Sequence, residues 1–192
     1  MIAINPTILP EGHEAKVTEW NRTTRLYATA SRKGPISVWA TPYFSATVKH
    51  RLQPSSPVTK LVWAGNVRGD KLNPKMANLL VASGEDGNVS VWNGENAHPV
   101  VNIPLDDPPS ALDFSPSGQF LALGIAKKMF VWKVGNVSER AEVKKNAVHT
   151  FKAPEKLNCL QWNRSGDKIL CGGERGMLSV VDLSGSQFIS YK

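Results

Sequence analysis

The chain has 192 residues, 41% of them hydrophobic and 20% charged, with a formal net charge of +7. This balance excludes intrinsic disorder, which needs fewer apolar residues and more charge, and the length allows one domain with a sizeable core. No apolar run approaches the roughly 20 residues that span a bilayer, and the opening Met1-Ile2-Ala3-Ile4-Asn5-Pro6 lacks the basic and apolar regions of a secretory signal, so a cytoplasmic or nuclear protein without a transmembrane segment is expected.

In chain order, an isolated strand is predicted over 2–9. Four units then follow, each made of three short apolar runs and a weaker fourth. The first unit (14–50) has runs at Val17–Trp20, Leu26–Ser31 and Pro35–Trp39, then Ala46–Val48. The second (57–104) has Val58–Trp63, Leu79–Gly84 and Asn88–Trp92, then Val100–Ile103. The third (109–152) has Ser110–Phe114, Phe120–Gly124 and Met129–Trp132, then Ala147–Phe151. The fourth (156–191) has Leu157–Trp162, Ile169–Gly173 and Met177–Val181, then Phe188–Tyr191. The third runs end at Trp39, Trp92, Trp132 and Val181, at spacings of 53, 40 and 49 residues. Turn residues such as Ser115-Pro116-Ser117-Gly118 and Glu85-Asp86-Gly87 separate the runs, which read as strands; no stretch sustains a helical period. Four strands per unit of about 40–50 residues suit the blades of a β-propeller.

The residues carry a family resemblance. Ala82-Ser83-Gly84-Glu85-Asp86-Gly87-Asn88-Val89-Ser90-Val91-Trp92-Asn93 resembles the core of a WD repeat. Gly12-His13 before the first unit, Phe114-Ser115-Pro116-Ser117-Gly118 and Val181-Asp182 resemble other parts of the repeat. The likeness spans about residues 7–191. It implies an all-β fold of four four-stranded antiparallel blades, forming part of a larger or oligomer-completed propeller. It also implies a buried network of His, Ser or Thr, Asp and Trp that stiffens each blade. His13, Ser31 and Trp39 offer part of it in the first blade, with Lys33 near the expected Asp. Ser83, Asp86 and Trp92 offer part in the second, and Trp132 alone in the third. Missing bonds of about 1 kcal/mol each predict soft blades.

The family's propellers usually close with more blades than four. A chain with four, plus an orphan outer strand, is expected to be a fragment, to self-associate, or to receive blades from a partner. An open end would expose strand edges and apolar faces. The six Trp fall at two repeated places, Trp20, Trp63 and Trp162 on first strands and Trp39, Trp92 and Trp132 on third strands. That repetition points to packing between sheets, with base stacking as the alternative.

The blade reading sorts the loops onto two rims. One carries eight basic and eight acidic residues and is the family's usual peptide-docking face. The other carries Arg22, Arg25, Arg68, Lys71, Lys75, Lys133, Arg140, Lys144, Lys145, Arg164 and Lys168 against Asp70, Glu95, Glu139, Glu142 and Asp167. This basic rim could attract acidic protein, nucleic acid or anionic membrane, or serve only solvation.

Cys159 and Cys171 are predicted to point to opposite sheet faces and to stay reduced and buried, because a hairpin pairing Trp162 with Ile169 sets Cys159 opposite Gly172. The four His residues lie far apart, with no zinc spacing, and no phosphate loop or nucleophile elbow occurs. Asp106-Asp107-Pro108-Pro109 is read as a solvated turn. Four Asn-X-Ser/Thr sequons, at Asn21, Asn88, Asn136 and Asn163, are read as coincidental. The expectation is a non-enzymatic scaffold, without cofactor or metal, that docks protein partners in a multiprotein assembly. The alternative is nucleic-acid binding through the basic rim.

Overall fold

The computed structural model describes residues 15–21, 23–31, 35–40, 47–64, 76–94, 99–134, 147–184 and 187–191. Sixteen strands occupy them. The first sheet holds β1 (Ala15–Trp20), β2 (Leu26–Ser31), β3 (Ile36–Ala40) and β4 (Thr47–Leu52). The second holds β5 (Val58–Trp63), β6 (Leu79–Gly84), β7 (Val89–Asn93) and β8 (Pro99–Ile103). The third holds β9 (Ala111–Phe114), β10 (Phe120–Ile125), β11 (Lys128–Lys133) and β12 (Ala147–Lys152). The fourth holds β13 (Leu157–Trp162), β14 (Lys168–Gly173), β15 (Leu178–Asp182) and β16 (Gln187–Tyr191). Each sheet is an antiparallel meander in which neighbours in sequence are neighbours in space. Among the described residues, no helix is long and apolar enough to cross a membrane.

The repetition extends to details of register. The first-to-second strand pairings slip at Ala15/Val17, Val58/Lys60 and Leu157/Cys159. The third-to-fourth pairings slip just before the terminal Trp, at Val38/Trp39, Val91/Trp92 and Val131/Trp132. In the fourth sheet Val181 takes the place of that Trp, and the pairing of β15 with β16 runs without a shift. Bulges add local twist, so they help a flat meander curve.

Near-continuous apolar runs in β6, β7, β10 and β11 bury both faces of the second and third sheets, while burial alternates along β13 and β14, and each consecutive pair of sheets shares one buried layer. Ala28, Val38 and Leu52 of the first sheet pack with Leu61, Trp63, Leu80 and Trp92 of the second. Val81, Val91 and Ile103 of the second pack with Phe114, Leu123 and Trp132 of the third. Ala122, Met129 and Val131 of the third pack with Leu160, Trp162, Ile169 and Val181 of the fourth. The first strands run in series through these layers, since β1 packs on β5, β5 on β9 and β9 on β13. Strands of the first and fourth sheets share no packing of that extent among the described residues.

Trp63 and Trp162 do sit between sheets, and each anchors its strand to the neighbour. The Trp63 indole donates to the Glu19 carbonyl of β1 at 3.1 Å, and the Trp162 indole to the Asp113 carbonyl of β9 at 3.2 Å. Trp20, at the same place on β1, is 58% exposed and leans on Tyr27, which stacks on Trp39.

The cysteine register is as expected, with Cys159 opposite Gly172 and Leu160 opposite Cys171, and both thiols are free. The expected burial holds for Cys171 alone. Cys159 is exposed because the face of the fourth sheet that carries it is uncovered.

Candidate docking rim

One edge of the assembly of sheets gathers the turns between second and third strands with the links that carry the chain to the next sheet. Its turns are tied together across elements. The Asp86 carboxylate, in the β6–β7 turn, accepts the hydroxyls of Ser55 and Ser56 from the β4–β5 link, each at 2.7 Å. It also accepts the backbone N–H and side-chain amide of Asn88, at 3.0 and 2.6 Å. Partial burial alone would push this carboxyl up; the bonds from Ser56, Ser55 and Asn88 outweigh it and hold Asp86 at about 2. The β12–β13 link repeats the device. Glu155 there accepts the backbone N–H of Arg175 and of Met177 in the β14–β15 turn, at 3.0 and 2.9 Å.

Backbone bonds fasten the same edge. Glu85 N–H donates to Pro57, Glu174 N–H to Lys156 and Leu157 N–H to Ala126. The turns themselves close identically, with Gly84 N–H to Asn88 and Gly173 N–H to Met177. Gly87 and Gly176 both take positive φ, at 83° and 86°, the left-handed conformation that glycine adopts without strain. Lys16 of β1 reaches Glu85 at 3.5 Å, an exposed pair. What remains free to face a ligand is a mixed row of charges, including Lys127, Lys156, Glu174 and Arg175, all exposed.

The opposite edge carries the first-to-second strand turns. All four close with one backbone bond across the strand ends: Asn21 to Leu26, Ala64 to Leu79, Ser115 to Phe120 and Asn163 to Lys168. The Asn21 side chain accepts the N–H of Thr23 and Thr24, each at 3.1 Å, and donates to the Ala77 carbonyl at 2.6 Å. Asn163 likewise accepts from Gly166 and Lys168, each at 3.0 Å. An Asn after a strand-ending Trp, as in Trp20-Asn21 and Trp162-Asn163, is the sequence signal for this Asx turn.

Of the basic-rim candidates, Arg25, Arg164 and Lys168 fall on this second edge, and Lys168 pairs with Asp182 at 3.2 Å. Arg22, Arg68, Lys71, Lys75, Arg140, Lys144 and Lys145 lie outside the described residues. His13 does too, as does the strand expected over 2–9. Ser31 is buried, and the Trp39 indole donates to Thr29 at 2.9 Å. Ser83 shares a hydroxyl bond with Thr59 at 2.8 Å. The indole N–H groups of Trp92 and Trp132 are buried without a partner among the described residues. Ser83 and Asp86 thus bond to different neighbours, and Trp92 packs as an apolar group. No known protein-family model matches the chain.

Proposed function

We propose that the chain is a run of four WD-repeat propeller blades and works as a non-enzymatic scaffold, docking protein partners in a cytoplasmic or nuclear assembly. The observation that carries this reading is the edge of turns tied by Asp86 and Glu155. Loops held by side-chain bonds across elements form a firm, mixed-charge surface, which suits recognition of an extended peptide with little ordering cost. The two carboxylates most firmly placed there are occupied in holding backbone and hydroxyl groups, which is a structural task. The succession of β1, β5, β9 and β13 supports a radial arrangement, since first strands of blades crowd a common axis.

The test is affinity capture with the 192-residue chain from nuclease-treated extract, followed by binding measurements on the captured proteins. Defined proteins should bind, and the triple variant Lys127→Glu, Lys156→Glu, Arg175→Glu should weaken them at least about 10-fold, the effect of altering central interface contacts. No protein captured, together with direct binding of the purified chain to RNA or DNA whose affinity collapses as salt rises from about 50 to 200 mM, would overturn the protein-docking reading.

A further inference from the structure

The link between β4 and β5, Gln53-Pro54-Ser55-Ser56-Pro57, belongs to no strand and sits on the docking rim. Ser55 is exposed and Ser56 half-buried, and their hydroxyls are two of the donors that hold the Asp86 carboxylate. The Ser56 oxygen also accepts the Asp86 N–H at 3.3 Å. The fourth sheet has the same junction with its acidic group on the other side. There the Glu174 N–H reaches the Lys156 carbonyl as the Glu85 N–H reaches that of Pro57, so Glu155 stands where Ser56 stands, and Arg175 where Asp86 stands. The side chains agree with this match: a Cβ on Gly84 would strike the Ser56 hydroxyl, and one on Gly173 the Glu155 carboxylate. A negative group is thus held at this place of one link, where the facing turn offers the backbone N–H groups of Arg175 and Met177 instead of a carboxylate.

We propose that Ser56 is a phosphorylation site for a proline-directed serine kinase, and that its phosphate releases the β6–β7 turn from the link. Pro57 follows Ser56 directly and has no backbone N–H, the feature that such a kinase selects. The chain has one other Ser-Pro pair, Ser115-Pro116. Ser115 is 1% exposed and its hydroxyl accepts the Phe120 N–H at 3.0 Å, so that pair is closed to a kinase. In the reaction the Ser56 Oγ attacks the γ-phosphorus of ATP, a new O–P bond forms, the bond to the ADP leaving group breaks, and the hydroxyl proton passes to the base of the kinase. The product carries a charge of about −1.5 to −2 and offers acceptor oxygens in place of the donor. Two anions then face each other where the Ser56 hydroxyl had bonded to Asp86 at 2.7 Å. Glu155 meets no such opposition. The effect on partners rests on the docking reading: a rim whose turn is no longer tied to its link binds them more weakly.

Incubation of the folded 192-residue chain with a proline-directed kinase and Mg–ATP, followed by peptide mass spectrometry, tests the site. Phosphate should appear on Ser56 in the natural chain and in Ser55→Ala, should be lost from that peptide in Ser56→Ala, and should reach Ser115 only after unfolding. No phosphate on Ser56 of the folded chain, or equal rates at Ser56 and Ser115, would overturn the proposal. Release of the turn is read from amide exchange at Glu85, whose N–H bonds to the Pro57 carbonyl at 2.9 Å. Phosphorylation should speed it at least about 10-fold, the equivalent of one lost hydrogen bond to a charged group. Ser56→Glu should speed it too, and adding Asp86→Arg, which copies the residues of the fourth sheet, should slow it again. Exchange indifferent to the phosphate, or still fast with both substitutions, would contradict the release by opposed charges. Partners captured by the unmodified chain should bind the phosphorylated chain at least about 10-fold more weakly, and equal affinity would overturn the regulatory claim. Failure of the docking reading shows differently, as a chain that captures no protein while the Ser56 phosphate and the Glu85 exchange behave as expected.

Discussion

Asp113 shows how a strand residue can serve a neighbouring sheet at a cost. Its carboxylate accepts the Trp162 backbone N–H at 2.7 Å, across the layer between the third and fourth sheets. Burial pushes its pKa up to about 6; the amides of Trp162 and Phe114 pull down, and Glu19 adds a smaller push up. A native value above the ordinary 3.8 means that the folded chain holds the proton more tightly than the unfolded one. Stability is then fullest below about pH 4 and falls as pH rises through about 6. Asp113→Asn keeps an acceptor for Trp162 without the charge. It should raise stability near pH 7.5 by about 1–2 kcal/mol, or roughly 3–6 °C in Tm, and the gain should vanish near pH 4. A variant less stable than the natural chain near pH 7.5 would contradict this account. The two left-handed glycines make a second comparison at this scale. Alanine at Gly176 meets nothing within 4 Å, while its Cβ at Gly87 would stand 2.7 Å from the Leu105 carbonyl. Gly176→Ala should cost about 1–2 kcal/mol from backbone strain alone. Gly87→Ala should cost at least about 1 kcal/mol more, because backbone must shift. Equal losses in urea unfolding would refute the difference.

At the scale of elements, the Asp86 cluster joins a link to a turn, and its pH dependence has the opposite sign. A carboxyl held at about 2 contributes stability above its ordinary 3.8 that is lost as pH falls toward 2. Solvent screens this site, so Asp86→Asn should cost only about 0.5–1 kcal/mol near neutral pH, narrowing below about pH 4. An unchanged gap across that range, followed by chemical denaturation, would remove the electrostatic part. The strands themselves were legible in the sequence. Leu26–Ser31, Val58–Trp63, Leu79–Gly84 and Leu157–Trp162 fall where the apolar runs place them, because turn residues bound those runs tightly. Fourth strands were read short. β4 continues through His50 to Leu52, since an outer strand with polar residues shows little alternation. The rim was legible only as a list of charges. That Asp86 and Glu155 fasten turns from adjacent elements depends on pairings distant in sequence, 30 and 20 residues apart, and no local pattern announces them. Cys159 was misplaced for a related reason: alternation gives the face, but whether another sheet covers the face is a property of the assembly.

At the scale of the whole molecule, one contact repeated between consecutive sheets organises everything else. It orders the first strands and separates the two rims of turns. The docking role needs the rims held in that order. The most direct test is hydrogen exchange of the indole N–H groups, followed by NMR in the 192-residue chain. Trp63 and Trp162 should be strongly protected, like the buried Trp39, while Trp20 should exchange at a rate near that of an open side chain. Rapid exchange of Trp63 and Trp162 in the folded chain would contradict the repeated contact, and with it the succession of sheets on which the account rests.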